Sequence, residues 1–92
     1  MIMTFRHKGL EDFFYDQNKK GIQPKHAEKL IDILDALHAA TSLDDIKFPG
    51  SGLHQLQPKN MNRWAVKVSA NWRITFRFES GDVFEVDYED YH

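Results

Sequence analysis

A few residues in the C-terminal half of the chain could carry acid–base chemistry on a group that becomes negatively charged. A carboxylate, a phenol and an imidazole follow one another at Asp90, Tyr91 and His92. His54 comes directly after a glycine-containing turn, a setting that commonly presents side chains to ligands. Arg73 lies on a segment with the pattern of a strand. Together these residues would supply proton donors, proton acceptors and a cation.

The basic residues are concentrated in the part of the chain that holds His54 and Arg73. The 92-residue chain has 12 Lys and Arg against 14 Asp and Glu, a net charge of −2. Its residues 46–78 contain no acidic residue, and their basic residues are Lys47, Lys59, Arg63, Lys67, Arg73 and Arg77. This partition predicts a basic face with acidic flanks. The alternative is that these cations pair across a sheet with Asp82, Glu85, Asp87 and Glu89.

The composition predicts one folded domain over residues 1–92 and excludes several classes of protein. Hydrophobic residues make up 41% and charged residues 28% of the chain, which argues against disorder. The chain has no Cys, so disulfides, thiol catalysis and Cys-based zinc sites are excluded. No apolar run is long enough to span a bilayer and the first residues do not resemble a signal peptide, so a cytoplasmic protein is expected.

Two helices are predicted in the N-terminal half, after a short apolar strand over residues 1–5. Apolar residues at helical spacing from Leu10 predict a first helix, with Gly21 as its C-terminal stop. Pro24 fits the first turn of a second helix. The apolar stripe of that helix is Ala27, Leu30, Ile31, Leu34 and Leu37. Loop or a single turn is expected over 41–48, and His7, His26 and His38 are expected to be solvated.

From Arg63 onward the apolar residues alternate with polar ones, which predicts three antiparallel strands. Ser80-Gly81 is a hairpin signal, but a strict two-residue loop would place Phe76 opposite Glu85. A three-residue loop or a bulge is therefore expected. The predicted fold class is α+β, with two N-terminal helices on one face of an antiparallel sheet and a cationic face left exposed.

Several strings in this chain resemble the HigB toxins of the RelE-like superfamily. They are Leu53-His54-Gln55-Leu56, Trp64, Ala70-Asn71-Trp72-Arg73-Ile74-Thr75-Phe76, Gly81-Asp82 and the closing Tyr88-Glu89-Asp90-Tyr91-His92. The resemblance covers essentially the whole chain. It implies the RelE-like microbial RNase fold and a toxin of a type II toxin-antitoxin system. It also implies a ribosome-dependent endoribonuclease that cuts mRNA in the decoding site.

The resemblance also implies site residues and partners. Its catalytic positions fall on His54, Arg73, Asp90, Tyr91 and His92, which would divide the work of metal-free attack by the ribose 2′-OH. RNA contacts are expected from Lys59, Arg63, Lys67 and Arg77. No cofactor or metal is expected. The implied partners are a HigA-like helix-turn-helix antitoxin, through which operator DNA is bound indirectly, and the ribosome with its mRNA; no membrane is involved.

One departure from the family pattern keeps alternatives open. Gln57-Pro58 stands where family members usually have Lys-Gly, although Lys59 comes next. One alternative is a metal-dependent nuclease, and its candidate ligands are His54, Asp87, Asp90 and His92. Another is an RNA-binding or ribosome-binding module with weak or no catalysis, which the Gln57-Pro58 departure favours. An α+β domain with an unknown ligand is the third.

Overall fold

Two helices and a four-stranded sheet make up the computed structural model, which describes residues 1–91. Helices α1 (Lys8–Asp16) and α2 (Ala27–Ala39) precede the strands. The strands are β1 (His54–Gln55), β2 (Arg63–Ser69), β3 (Trp72–Glu79) and β4 (Asp82–Asp90). They pair antiparallel in the order β1-β2-β3-β4. Short 3₁₀ turns span Pro24–His26, Leu43–Ile46 and Lys59–Met61. The predicted α+β class is confirmed, and no helix within residues 1–91 is long and apolar enough to cross a membrane.

The N-terminal segment covers the free edge of β4 without forming the strand predicted over residues 1–5. Two isolated parallel bridges join Ile2 to Val83 and Phe5 to Val86. Between them the ladder is interrupted, because the N–H of Glu85 donates to the Thr4 hydroxyl at 2.8 Å rather than to a backbone carbonyl. The segment is therefore bridged to β4 at two points and does not extend the sheet by a full strand.

Helix α1 ends at Asp16 and is capped by Gln17, not stopped by Gly21. The Gln17 backbone is left-handed, with φ 58°, and its N–H bonds the carbonyls of Asp12 and Phe13. Gly21 has a different role. A Cβ built on Gly21 would lie 2.4 Å from the Cα of Gly9, so the two backbones cross in contact. The glycine is thus needed for close packing of the loop on the start of α1.

Replacing Gly21 with alanine is expected to lower the free energy of unfolding by about 1–3 kcal/mol, because backbone must move to admit the methyl group. Urea denaturation followed by circular dichroism measures this. Lys20→Ala, at an exposed position of the same loop, is the control and should change the free energy of unfolding little. A larger loss in the control than in Gly21→Ala would contradict the close-contact argument.

The buried stripe of α2 is rotated from the predicted one. Ile31 is 44% exposed, whereas Ile33 is fully buried. The buried residues of the helix are Ala27, Leu30, Ile33, Leu34 and Leu37. Both stripes satisfy the spacing of an amphipathic helix, and the packed surface decides between them. Ile31 instead lines a shallow groove of about 420 Å³ with Phe13 and Phe14 of α1.

The β3–β4 hairpin satisfies the register argument with a bulge. Ser80 and Gly81 form a two-residue loop, both with positive φ, and Phe78 pairs with Val83. The register then shifts between Thr75 and Arg77, where Glu85 adopts a φ of 55°. The extra residue keeps Phe76 away from a charged partner, as the sequence required. Its consequence is that Val83 and Val86 face the helices while Phe84 lies opposite Arg77 on the other face.

Candidate functional site

The face of the sheet turned away from the helices, here called the outer face, holds most of the predicted site residues. Cross-strand partners lie side by side on one face of a sheet. One row is His54, Ala65, Thr75 and Asp87. The next row is Lys67, Arg73 and Glu89. Ala65 and Thr75 are fully buried, so the outer face is a mixed, partly covered surface and not the bare cationic surface that was predicted.

Arg73 is held at the turn between β2 and β3 by backbone acceptors. Its Nη1 donates to the carbonyl of Ala70 at 2.8 Å and to that of Trp72 at 3.0 Å. Within residues 1–91 its guanidinium forms no ion pair with a carboxylate. Two carbonyls orient the group, and no carboxylate among the described residues neutralises it, so its charge is suited to binding an anion. A guanidinium fork of this kind matches the oxygens of a phosphate.

His54 is exposed on β1, the edge strand that pairs with β2. Its Nδ1 lies 3.1 Å from the carbonyl of Gly52. A carbonyl only accepts hydrogen bonds, so in the neutral ring Nδ1 carries the proton and Nε2 keeps its lone pair. With strands about 4.8 Å apart, the Cα atoms of His54 and Arg73 are roughly 12 Å apart on the same face. That gap leaves room for a substrate group between the two side chains.

Tyr91 follows β4 and lies beside Arg73. Its N–H donates to the carbonyl of Asn71 at 2.7 Å, which ties the chain end to the β2–β3 turn. Burial raises the pKa of the Tyr91 phenol and the charge of Glu89 adds to this, while the charges of Arg63 and Arg73 oppose it. The phenol is therefore protonated at neutral pH and surrounded by both basic and acidic groups.

Asp90 is separated from this group by strand alternation. It pairs with Trp72, and it follows Tyr88, whose ring is buried on the helix side of the sheet. Its register therefore places it on the face opposite Arg73 and Tyr91. The negative charge of Asp90 contributes to the raised pKa of Tyr88, after the larger effect of burial. The prediction for His92 lies outside the described residues.

Two of the predicted RNA-binding cations are engaged within the sheet. Arg77 bonds Glu79 at 2.6 Å and Glu85 at 3.2 Å, and its guanidinium stacks over Phe84 at 4.5 Å. The hydrogen bonds that Arg77 donates to Glu79 and Glu85 hold its pKa above its usual value. The hydrogen bond from Arg77 also lowers the pKa of Glu85. The expected cross-strand pairing is thus present around Glu85.

Arg63 is the second engaged cation. Its side chain is only 16% exposed, with Nη1 at 3.6 Å from Glu85 and Nη2 donating to the Thr75 hydroxyl at 3.3 Å. Thr75 in turn donates to Glu89. At 3.6 Å the ion pair is too long for a hydrogen bond, and Nη1 has no hydrogen-bond partner within residues 1–91. The side chain of Arg63 is therefore largely covered by its neighbours on the outer face. Lys59 and Lys67, in contrast, are exposed on this face or at its edge.

The segment that departs from the family pattern lies next to His54. Gln57 and Pro58 are exposed and lead into the Lys59–Met61 turn. The Gln55 amide donates to the carbonyl of Lys59 at 3.2 Å, so the turn is fixed to β1. The side chain of Lys59 makes no ion pair within the described part of the chain. Lys59 thus lies in a turn that is held to Gln55, the residue after His54, and stands two positions after Gln57 in the sequence.

The candidate metal ligands do not gather in the structure. Among residues 1–91 no three His, Asp or Glu side chains lie close enough to hold a metal ion. His54 and Asp87 lie at opposite ends of a cross-strand row, with β2 and β3 between them. Asp90 lies on the other face of the sheet by its register.

Comparison with known proteins agrees with this arrangement. Residues 3–92 match the family model of the HigB-like toxins, described as RelE-like toxins of the type II toxin-antitoxin system HigB. The chain belongs to the HigB-like toxin family. Over 92 residues, covering all of both chains, it is 37% identical to the protein named Endoribonuclease HigB of Proteus vulgaris. It is 26% identical over 83 residues to Toxin HigB-1 of Vibrio cholerae serotype O1, covering 88% of this chain and 87% of that one. Membership in this family implies an antitoxin partner.

Sequence reasoning missed one buried polar group of this HigB-like toxin. His26 was expected to be solvated, but it is only 3% exposed. Its Nδ1 lies 2.5 Å from the Tyr88 hydroxyl and its Nε2 2.9 Å from the Ser69 hydroxyl. The 3₁₀ turn Pro24–His26 directs the ring under the sheet, ahead of the regular helix. Only the position of His26 one residue before the stripe residue Ala27 could have indicated this.

Acidification is expected to destabilise the toxin through His26. Burial, assisted by the charge of Lys25, lowers the pKa of His26 below its usual 6.5. The unfolded chain therefore binds more protons than the folded one. The contribution of His26 to the free energy of unfolding is fully present above pH 6.5 and is lost as the pH decreases below 6.5. Urea denaturation at pH 7.5 and pH 5.5 measures the loss. His26→Gln should lose less stability between these two pH values, because it lacks the buried imidazole; an equal loss would contradict this.

Proposed function

We propose that this HigB-like toxin is an endoribonuclease that cleaves mRNA on the ribosome by metal-free acid–base chemistry. The observation that carries the proposal is that His54, whose Nδ1 lies 3.1 Å from the Gly52 carbonyl, shares one face of the sheet with Arg73, whose guanidinium pairs with no carboxylate within residues 1–91. The name of the Proteus vulgaris relative, Endoribonuclease HigB, supports the choice of RNA as the substrate.

In the proposed reaction, His54 Nε2 removes the proton of a ribose 2′-OH. The resulting oxygen attacks the adjacent phosphorus, and the bond from phosphorus to the 5′-oxygen breaks. Arg73 stabilises the charge that develops on the phosphate oxygens. The leaving 5′-oxygen takes a proton from Tyr91, which lies beside Arg73, or from His92, the next residue in the sequence; Asp90 lies on the opposite face of the sheet by its register. The products are a 2′,3′-cyclic phosphate and a 5′-hydroxyl.

Substrate contacts are proposed for the cations that the sheet does not engage. Lys59 and Lys67 are exposed and make no ion pair within residues 1–91, so they are suited to the phosphate backbone beside His54 and Arg73. Arg63 and Arg77 act through Glu85 to hold the outer face together. Phosphate contacts of this kind weaken as salt rises.

Membership in the family supports the following proposed partners. A HigA-like helix-turn-helix antitoxin neutralises the toxin and carries any binding to operator DNA. The ribosome presents the mRNA, which places the activity in the cytoplasm. No metal or other cofactor takes part in the proposed step.

The end groups of the RNA fragments test this proposal and its metal-dependent alternative together. Purified toxin is incubated with mRNA bound to programmed ribosomes and, separately, with the same RNA free in solution. We expect cleavage only on ribosomes, with 2′,3′-cyclic phosphate and 5′-hydroxyl ends, and no cleavage where the nucleotide 5′ of the cut is 2′-deoxy. Ends bearing 5′-phosphate would indicate activated water as the nucleophile and contradict the mechanism. No cleavage of either RNA would favour a non-catalytic RNA-binding or ribosome-binding module.

A further inference from the structure

A buried polar bridge lies directly beneath the β2–β3 turn. His26 joins Ser69, the last residue of β2, to Tyr88, near the end of β4. Trp72 opens β3 and stacks on Tyr88 with ring centroids 4.5 Å apart, while His26 contacts the Trp72 ring at 5.6 Å. The imidazole of His26 therefore contacts β2, β3 and β4 at the end of the sheet where the β2–β3 turn lies.

The protonation state of this bridge follows from its partners. Burial raises the pKa of Tyr88, which keeps its hydroxyl protonated. The Tyr88 O–H is then free to donate to Nδ1 of His26, and Nε2–H donates to the Ser69 hydroxyl. His26 thus acts as a neutral ring with each nitrogen in a fixed role.

Two candidate catalytic side chains depend on the same turn from the other face. Arg73 follows Trp72 directly and is oriented by the carbonyls of Ala70 and Trp72. Tyr91 is tied to the turn through the carbonyl of Asn71. A change in the position of the turn would therefore move both side chains relative to His54, which is anchored separately on β1.

We propose that His26 is a positioning residue for RNA cleavage, because its two hydrogen bonds fix the β2–β3 turn and the end of β4 and so hold Arg73 and Tyr91 in place. This inference rests on the proposed endoribonuclease function. His26 lies beneath the sheet and does not touch the substrate. An apolar residue could fill the same volume, but it would not fix the distance between the two hydroxyls.

The test compares variants of the bridge in single-turnover cleavage of whichever RNA substrate the wild type cuts. His26→Leu removes both hydrogen bonds, Tyr88→Phe and Ser69→Ala remove one each, and His26→Gln retains an amide that can donate and accept. Ile46→Ala is the control, because Ile46 is fully buried in the Leu43–Ile46 turn and its aliphatic side chain cannot hydrogen-bond to the bridge. All measurements are made at a temperature at which every variant is folded by circular dichroism.

For His26→Leu we expect the rate constant at saturating toxin to fall by about 10- to 100-fold, with the half-saturating concentration within about threefold of wild type. His26→Gln should recover part of the rate, and each hydroxyl deletion should cause a smaller loss. Ile46→Ala should cleave at the wild-type rate. If His26→Leu does not fold, the two hydroxyl deletions decide. Wild-type rates in the folded bridge variants, or an equal loss in Ile46→Ala, would overturn the proposal.

The backbone amide signals of Asn71, Arg73 and Tyr91 in ¹⁵N NMR spectra report the position of the turn without any RNA. They therefore test the role of His26 independently of the proposed endoribonuclease function. They should shift in His26→Gln and stay unchanged in Ile46→Ala. If the wild type cleaves no RNA, the proposed function fails, and the proposal about the bridge is then decided by these signals alone. Unchanged signals in every folded bridge variant, including Tyr88→Phe and Ser69→Ala, would overturn it.

Discussion

Arg73→Ala is expected to slow RNA cleavage by about 10²–10³-fold while leaving the fold intact. The guanidinium is oriented by two backbone carbonyls and forms no ion pair with a carboxylate within residues 1–91, so its charge can act on the phosphate in the transition state. Among residues 1–91, removing this guanidinium therefore leaves no buried carboxylate without an ion-pair partner. The measurement is the rate of cleavage at saturating toxin, with folding checked by circular dichroism.

Two further variants sharpen the test of Arg73. Arg73→Lys keeps the charge but loses the planar fork, so we expect a rate between those of the wild type and the alanine variant. Lys20→Ala removes an exposed cation between α1 and α2, away from the outer face, and should cleave like the wild type. Cleavage by Arg73→Ala at the wild-type rate would remove this residue from the site.

His54→Ala is expected to slow cleavage by about 10²–10⁴-fold, the usual range for the loss of a general base. The hydrogen bond from Nδ1 to the carbonyl of Gly52 leaves Nε2 as the acceptor, and the ring is exposed on an edge strand. The space left by the missing ring is therefore open to solvent. The measurement is again the single-turnover rate constant.

Chemical rescue separates a base from a residue that only binds RNA. Added imidazole should raise the cleavage rate of His54→Ala in proportion to its neutral form, because the small molecule can occupy the vacated place. It should leave Arg73→Ala unchanged, since that variant still has its base. No rescue, together with a raised half-saturating concentration, would show that His54 binds RNA and does not take the proton.

The sequence predicted the fold in detail at positions where the local residue pattern allowed only one arrangement of the backbone. The hairpin loop at Ser80-Gly81 and the unfavourable pairing of Phe76 with Glu85 together required a bulge or a longer loop, and a bulge is present at Glu85. The α+β class followed from the two periods of the apolar pattern. Alternation also fixed which residues of β2 and β3 face the helices.

Other features depended on packing that no local pattern encodes. Ile31 and Ile33 fit the spacing of α2 equally well, and only the shape of the opposing surface buries one of them. Gly21 resembled a helix stop because its contact with Gly9 brings together residues of two separate segments. His26 resembled a surface histidine because its partners, Ser69 and Tyr88, lie more than forty residues away.

The candidate site was predictable in its residue types but only in part in its arrangement. The structure brings Arg73 and Tyr91 together and places His54 on the same face of the sheet. Asp90 and Tyr91 are adjacent in sequence, and for that reason they lie on opposite faces. Residues that cluster in sequence at the end of a strand therefore do not form one cluster in space.

The position of β4 has a consequence for how the chain folds. The strand bonds β3 on one side and the first residues of the chain on the other, with the N–H of Met3 donating to the carbonyl of Val83 at 2.7 Å. Contacts between such distant parts of a chain close large loops and slow folding. We expect the β2–β3–β4 hairpins to form early and the N-terminal segment to dock last, in a single cooperative transition.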